Sequence, residues 1–168
     1  MKVLLINGSP HQHGCTDRAL REVASALEQG GIETEIFSFG HTPVSGCIAC
    51  GACRKTGKCF KNDLVNEFAA KCETADGFVF GTPVYYAGPS GQLISFMERL
   101  FYSAGRFLRN MPACTVVSCR RGGASAPEGI ADMHQAAAVR GVGRVCIARA
   151  AGGSEPVGDV LCVRAAGD

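Results

Sequence analysis

Short apolar runs alternate with amphipathic stretches through the first 118 residues of the chain. Runs of a strand's length predict β-strands at 2–7, 34–39, 77–81 and 113–118. Apolar residues that recur at helical spacing predict α-helices over about 16–29, 63–72 and 92–103. Strands that alternate with helices indicate βαβ units, and therefore a parallel sheet with right-handed crossovers. Because ligands of such sheets bind outside the carboxyl ends of the strands, the loops after strands one, three and four form the candidate site.

The loop after the first strand, residues 8–16, joins a buried strand to a helix. A helix N-terminus has free N–H groups and a partial positive charge, so it attracts phosphate, and Ser9, Cys15 and Thr16 add side-chain donors. The loop is neither a Walker A motif, because the Gly-Lys-Ser/Thr ending is missing, nor a GxGxxG motif. Without a lysine to handle a transferred phosphate, the loop suits a phosphate that is held, as in FMN. An ordinary βα turn is the alternative.

The loop after the third strand, residues 82–91, is rich in Pro and Gly and carries Tyr85 and Tyr86. At the carboxyl end of a strand, such a loop makes a stiff platform with exposed backbone amides. A platform of this kind can pack against a flat ring and donate hydrogen bonds to its edge. The alternative is a rigid turn whose tyrosines pack on the following helix.

Composition narrows the class of protein. A chain of 168 residues suggests one domain, and a net charge of +2 favours neither nucleic acid nor an anionic membrane as a partner. The apolar run Val3–Ile6 is far too short for a signal sequence or a membrane span. We therefore expect a cytoplasmic protein. Ten cysteines, four of them within thirteen residues, fit metal-binding thiolates in a reducing compartment better than disulfides.

The crowded cysteines have the spacing C-x2-C-x2-C-x5-C, formed by Cys47, Cys50, Cys53 and Cys59. One thiolate can ligate each iron of a [4Fe–4S] cluster, so this spacing predicts such a cluster. Two alternatives are a zinc site, although zinc sites usually have two separated C-x2-C pairs, and reduced thiols without a metal. The remaining cysteines are scattered, and we expect four of them to be buried small apolar residues: Cys72, Cys114, Cys146 and Cys162.

In this order, the segments INGSP…GCT, GTPVYYAGPSGQL and SCRRGG resemble the NADPH-dependent FMN reductase branch of the flavodoxin-like superfamily. The segment CIACGACRKTGKC makes the resemblance greatest to the iron–sulfur flavoproteins within it. The resemblance covers about residues 1–125. It implies a flavodoxin-like α/β three-layer sandwich with a parallel five-stranded sheet of order 2-1-3-4-5, and a homodimer or homotetramer.

The resemblance also implies residue roles. It assigns the FMN phosphate to the first loop, with Cys15 the least secure donor because a thiol donates weakly. It assigns the isoalloxazine ring to the second loop and closure of the pocket to the loop after strand four. The implied FMN-binding residues are Ser9, Pro10, Gly14, Cys15, Thr16, Pro83, Val84, Tyr85, Tyr86, Ala87, Ser118, Arg121, Gly122 and Gly123.

The predicted function is that of an FMN-dependent oxidoreductase that transfers electrons between a reduced donor and an acceptor through FMN and a [4Fe–4S] cluster. The protein would contribute binding and tuning of potential rather than acid–base chemistry, so no catalytic residue is nominated. Ferredoxin or transiently bound NAD(P)H is the expected donor. The alternatives are an NAD(P)H-dependent FMN or quinone reductase without a cluster, and a non-catalytic flavin-binding redox sensor.

The chain is predicted to form one domain over residues 1–168, in which the cysteine segment 47–59 is an insertion. After about residue 126 the tail is atypical, because residues 121–168 contain 11 Ala, 9 Gly and a single Leu, and every aromatic residue lies at or before Phe107. Residues 143–150 are a candidate fifth strand and 159–164 a candidate further strand. We hypothesise a frameshifted or diverged terminus.

Overall fold

The structure is a computed structural model that describes residues 1–119, 130, 133, 140–148 and 162–165, the last two segments as backbone only. The strands are β1 Lys2–Asn7, β2 Glu33–Ser38, β3 Gly77–Tyr85, β4 Gly88–Pro89, β5 Pro112–Cys119, β6 Arg140–Ala148 and β7 Cys162–Ala165. The helices are α1 Cys15–Gln29, α2 Ala52–Thr56, α3 Leu64–Lys71 and α4 Gly91–Leu108, with a 3-10 turn at Cys72–Thr74.

Five strands form a parallel sheet in the order β2-β1-β3-β5-β6. Strand β7 extends this sheet antiparallel to β6, and the two-residue strand β4 only folds back on the end of β3. With β4 set aside, this is the predicted 2-1-3-4-5 order. The flavodoxin-like prediction is therefore confirmed.

Helices cover both faces of the sheet because successive strand residues point to opposite sides. Leu4, Ile6 and Phe80 belong to a large core on the side of α3 and α4. Leu5 and Val79 belong to a smaller core beneath α1, where they meet Ala19, Leu20 and Ala24. These two cores hold the carboxyl ends of β1, β3 and β5 at one edge of the sheet, where the predicted site residues lie.

Several predicted boundaries are wrong by a few residues. Helix α4 runs to Leu108 rather than 103, because Leu100, Ala104 and Leu108 continue its buried stripe past Gly105. Strand β3 runs to Tyr85 rather than 81, because Val84 and Tyr85 pair with β4. The sequence did not predict α2 or β4, which are too short to show a periodic pattern.

The fifth parallel strand, β6, spans 140–148 rather than the predicted 143–150. It starts earlier because its pairing with β5 begins at Pro112 opposite Arg140. The further strand β7 spans 162–165 rather than 159–164. Within the described residues, no helix is long and apolar enough to cross a membrane.

Candidate functional site

The first part of the site is the loop between β1 and α1. The Gly8 N–H donates to the Gly81 carbonyl of β3 at 2.9 Å, which ties the loop to the neighbouring strand. The buried Ser9 donates its N–H to Asn7 Oδ1 at 3.0 Å, and its Oγ accepts the His11 N–H at 3.1 Å. Ser9 therefore organises the turn that leads towards the helix N-terminus.

An open pocket of about 500 Å³ lies against this turn, lined by Pro10, His11, Gln12, His13, Gly14 and His41. Gly14 is the N-cap of α1 and offers no side chain to cap the first turn. Below the loop, the Asn7 side chain is fully buried, and Asn7 Nδ2 has no hydrogen-bond partner among the described residues. An anionic group at this helix terminus would bring the acceptors that these donors need.

Two predicted FMN residues from distant parts of the chain meet at this helix. The Thr16 Oγ1 and Ser118 Oγ atoms lie 2.7 Å apart, and Thr16 is buried. Cys15, the first residue of α1, is exposed. The start of α1 and the end of β5 are thus joined at the carboxyl edge of the sheet.

The second predicted loop is a tight β-hairpin. Tyr86 and Ala87 both have left-handed φ angles, of 50° and 65°, and form a two-residue turn between β3 and β4. Thr82 Oγ1 accepts the Ser90 N–H at 2.9 Å across its base. Pro83 and Val84 are half-buried, whereas the Tyr85 and Tyr86 rings are exposed. The hairpin presents its aromatic tip to solvent, and neither ring packs into the described core.

These observations fit the phosphate end of FMN. The structure brings Pro10 and Gly14 to one pocket and Thr16 to Ser118, and it places the hairpin at the same edge of the sheet. The predicted residues Arg121, Gly122 and Gly123 lie outside the described residues. The sequence did not identify Asn7 or His41 as site residues. Asn7 lies within the INGSP motif, so this motif could have indicated it.

The second part of the site is the cysteine segment, in which all four predicted ligands are free thiols. Gly51 and Gly57 flank α2 with left-handed φ angles of 71° and 70°, a conformation that glycine adopts without strain. The Cys47 Sγ accepts the Ala49 N–H at 3.4 Å. The left-handed turns at Gly51 and Gly57 therefore shape the segment at both ends of α2.

All four cysteines of the segment line one open cavity of about 30 Å³, together with the side chains of Ile48, Phe60 and Tyr102. Within the described residues, no three Cys, His, Asp or Glu side chains converge as ligands of one metal ion. Four cysteine ligands suit either a zinc ion or a [4Fe–4S] cluster, so the choice between the two groups rests on the spacing in the sequence.

Helix α4 supports the cysteine segment at three points. The Glu98 Oε2 accepts the Cys47 N–H at 3.3 Å, and the Arg106 Nη1 donates to the Gly57 carbonyl at 3.1 Å. Between them, Arg99 Nε donates to the Sγ of Cys59 at 3.3 Å. Because all three side chains belong to one helix, α4 helps to set the position of the segment.

Arg99 is the functional residue that sequence reasoning missed. Its side chain is only 1% exposed and forms two hydrogen bonds with the Asp63 carboxylate, at 2.7 and 2.8 Å. Burial opposes the charge of Arg99, yet the hydrogen bonds from Arg99 to Asp63 and Cys59 raise the pKa of the guanidinium. Its position on the apolar stripe of α4, three residues after the buried Phe96, could have indicated that Arg99 is buried.

The scattered cysteines are only partly tested. Cys72 is buried and Cys114 half-buried against the smaller core. Burial raises the pKa of the Cys72 thiol to about 12 and that of Cys114 to about 11, so neither is a ready nucleophile. The side chains of Cys146 and Cys162 lie outside the described residues.

Comparison with known proteins identifies the family of the chain. The sequence model of the NADPH-dependent FMN reductase family matches residues 1–148. The match extends past residue 125, where the resemblance was expected to stop, and the parallel strand β6 lies within the added part.

Curated relatives carry the name iron–sulfur flavoprotein. One from Methanocaldococcus jannaschii is 42% identical over 99 residues, which cover 59% of this chain and 51% of the relative. Another, from Archaeoglobus fulgidus, is 34% identical over 128 residues, covering 74% of this chain and 63% of the relative. The chain thus spans about half the length of the first of these relatives.

Solved structures of low identity share the fold. An NAD(P)H:quinone oxidoreductase from Methanothermobacter marburgensis superposes with a TM-score of 0.64 at 14% identity, covering 88% of this chain and 84% of the other. An apo NADH:FMN oxidoreductase superposes with a TM-score of 0.64 at 19% identity, covering 89% and 75%. At these identities the likeness establishes the flavodoxin-like fold alone.

Proposed function

The chain belongs to the NADPH-dependent FMN reductase family, and from that premise we propose that it is an FMN-dependent oxidoreductase with a [4Fe–4S] cluster. It transfers electrons from a reduced donor to an acceptor through these two groups. The observation that carries the proposal is that Cys47, Cys50, Cys53 and Cys59 line one cavity against helix α4 of a flavodoxin-like fold. The iron–sulfur flavoprotein names of the curated relatives support it.

The loop between β1 and α1 holds the FMN phosphate in this proposal. The N-terminus of α1 supplies N–H groups and a partial positive charge, and the Thr16 hydroxyl adds a donor. Ser118 orients that hydroxyl, because the two oxygens are within hydrogen-bond distance. Ser9, Pro10 and the Cys15 thiol complete the cradle.

The β3–β4 hairpin contacts the isoalloxazine ring. Its residues are Pro83, Val84, Tyr85, Tyr86 and Ala87, and the left-handed turn exposes backbone groups towards solvent. Arg121, Gly122 and Gly123 close the pocket from the loop after β5. These residues bind and orient, and none of them is proposed to exchange a proton.

The cysteine segment holds the cluster through its four thiolates. FMN exchanges one or two electrons and the cluster exchanges one, so the pair can connect a two-electron donor to a one-electron acceptor. The side chains of Ile48, Phe60 and Tyr102 border the thiols and are themselves exposed. Free thiols of this kind suit a reducing compartment, and the cytoplasm is proposed.

A second candidate is an NAD(P)H-dependent FMN or quinone reductase whose cysteines carry no cluster. The description of the matching family as NADPH-dependent FMN reductase favours this second candidate. Ferredoxin or NAD(P)H as donor, a homodimer or homotetramer as the assembly, and a single domain over residues 1–168 complete the proposal.

An absorption spectrum with iron and sulfide assays, on protein purified without oxygen, tests the proposal. Flavin bands with about four irons and four sulfides per chain are expected. The variant Cys50→Ser should lose iron and keep flavin, because residue 50 lies outside the phosphate loop. Flavin without iron in the wild-type protein, with rapid bleaching by NADPH, would establish the second candidate instead.

A further inference from the structure

The cysteine segment is asymmetric, because one of its four sulfurs has two side-chain donors. Arg99 Nε and Nη2 lie 3.3 and 3.4 Å from the Sγ of Cys59. The other described sulfur contact in the segment is a backbone one, from the Ala49 N–H to Cys47. Cys59 is therefore the ligand with a charged neighbour.

The guanidinium that contacts this sulfur is held in place from several sides. Asp63 binds it through both carboxylate oxygens, at 2.7 and 2.8 Å. The Ser45 and Lys61 carbonyls accept from it at 3.4 Å each. Ser45 precedes the cysteine segment and Lys61 follows it, so the buried Arg99 guanidinium links the two ends of the segment.

The backbone of Cys59 is fixed independently of its sulfur. Asn66 of α3 accepts the Cys59 N–H at its Oδ1, 3.1 Å away, and donates from Nδ2 to the Cys59 carbonyl at 2.9 Å. Cys47 and Cys50, in contrast, lie on an exposed loop. Cys59 is thus held in place at both its sulfur and its backbone, unlike the exposed Cys47 and Cys50.

We propose that Arg99 is a positioning residue of the cluster site, which holds the Cys59 sulfur in place and raises the reduction potential of the cluster bound there. The inference rests on the proposed function, since it needs a cluster on these cysteines. Hydrogen bonds to the sulfurs and the local net charge set the potential of an iron–sulfur centre. Donors that withdraw electron density from one thiolate favour the reduced state, which carries one more negative charge.

A lysine does not reproduce this contact. The guanidinium is a planar fork that reaches Asp63 and Cys59 at once, whereas an ammonium is a compact, strongly hydrated point charge. The variant Arg99→Lys therefore keeps the charge and removes the paired N–H···S contacts. Arg109→Met is the matched control, because it removes an exposed positive charge at the end of the same helix, and within the described residues no hydrogen bond joins its side chain to the segment.

The test compares wild-type protein, Arg99→Lys and Arg109→Met, all purified without oxygen. Iron per chain is measured first, and the midpoint potentials of cluster and FMN are then measured in a dithionite titration followed by electron paramagnetic resonance. We expect Arg99→Lys to lower the cluster potential or to lose the cluster while it keeps its fold and FMN. We expect Arg109→Met to keep the wild-type iron content and cluster potential. The FMN potential should be unchanged in both.

An Arg99→Lys protein with full iron and the wild-type cluster potential would overturn the inference and leave the proposed function intact. A wild-type protein that binds no iron after anaerobic reconstitution would overturn both. If Arg99→Lys fails to fold, the contact is tested in wild-type protein that carries nitrogen-15 in its arginine guanidinium groups. A nitrogen-15 coupling to the reduced cluster is expected there, and its absence would overturn the inference.

Discussion

The hydroxyl oxygens of Thr16 and Ser118 lie 2.7 Å apart, although 102 residues separate them in the sequence. The contact joins the first turn of α1 to the carboxyl end of β5, beside the proposed phosphate site. Because Thr16 is buried, its hydroxyl needs a partner, and when Ser118 is the donor the Thr16 proton is left for a ligand.

Replacing Thr16 with Val removes this hydroxyl and keeps the shape of the side chain. We expect the affinity for FMN to fall roughly tenfold to a hundredfold, since a hydrogen bond to a charged group contributes about 1.5–3 kcal/mol. Flavin fluorescence quenching measures the affinity. Ser25→Ala, on the exposed side of the same helix, is the control and should bind FMN normally. Equal affinities in Thr16→Val and wild type would limit Thr16 to a structural role.

Gly81 marks a point of close packing between β3 and α1. A Cβ built at this position would lie 2.7 Å from Leu20 Cδ1, in the middle of the smaller core. We expect Gly81→Ala to reduce the free energy of unfolding by about 1–3 kcal/mol, because overpacking forces side chains off their rotamers. Urea unfolding measures the change.

Gly105 provides the opposite case for the same substitution. It lies inside α4, and a Cβ there meets nothing within 4 Å. Gly105→Ala should raise the free energy of unfolding by up to about 1 kcal/mol, because glycine disfavours a helix interior. If both alanine variants were equally destabilised, the contrast in packing would be refuted.

The sequence predicted the sheet well and the support of the cysteine segment poorly. Periodicity located β1, α1 and β5 within one residue, because each lies against the core along its whole length. Periodicity places Arg99 on the apolar stripe of α4 but does not identify its partners. A charged residue in an amphipathic helix is usually exposed, and its burial here depends on Asp63, which lies 36 residues earlier in the chain.

The FMN and cluster residues were predicted by motif and spacing, which locate residues along the chain and not their neighbours in space. The four cysteines were identified because their spacing is local. The contact between Thr16 and Ser118, the hairpin turn at Tyr86 and the role of Asn66 all depend on tertiary structure. The hypothesis of a frameshifted or diverged tail after residue 126 stays a prediction, and the coding DNA tests it.

Acid should weaken the contact between Asp63 and Arg99. Burial raises the pKa of the Asp63 carboxyl, but the hydrogen bonds from Arg99 and the Val65 backbone outweigh it, so the net pKa is lowered on folding. A lowered pKa means that the pair stabilises the fold fully above the unfolded value of about 3.9 and loses this contribution as the pH falls through the folded value.

Asp63→Asn tests this linkage. The variant leaves the buried guanidinium without its counter-charge, and we expect a loss of about 3 kcal/mol in unfolding free energy at neutral pH. The difference from wild type should narrow as the pH is lowered from 5 to about 3, because protonated Asp63 and Asn are both neutral. Urea unfolding across this range measures it. Glu22→Gln, which removes an exposed ion pair with Arg18, is the control and should differ little from wild type. If the difference in unfolding free energy between wild type and Asp63→Asn stayed constant with pH, the lowered pKa of Asp63 would be contradicted.

Thiol reactivity should separate the cysteines of the cavity from those of the core. Cys47 and Cys50 are exposed, whereas Cys72 is 1% exposed, donates to the Phe68 carbonyl at 3.4 Å and has a pKa of about 12 caused by burial. In metal-free native protein at pH 8, iodoacetamide should modify the two exposed thiols at least about a hundredfold faster than Cys72, because the thiolate is the nucleophile and almost none forms at Cys72.

Peptide mass spectrometry after timed quenching measures each rate. In guanidinium chloride the three rates should converge, which shows that the fold and not the local sequence protects Cys72. Anaerobic reconstitution with iron and sulfide should then protect Cys47 and Cys50, because a thiolate bound to iron no longer attacks the reagent. Rapid native labelling of Cys72 would place it outside the core, and unprotected Cys47 and Cys50 in iron-loaded protein would show that the metal is bound elsewhere.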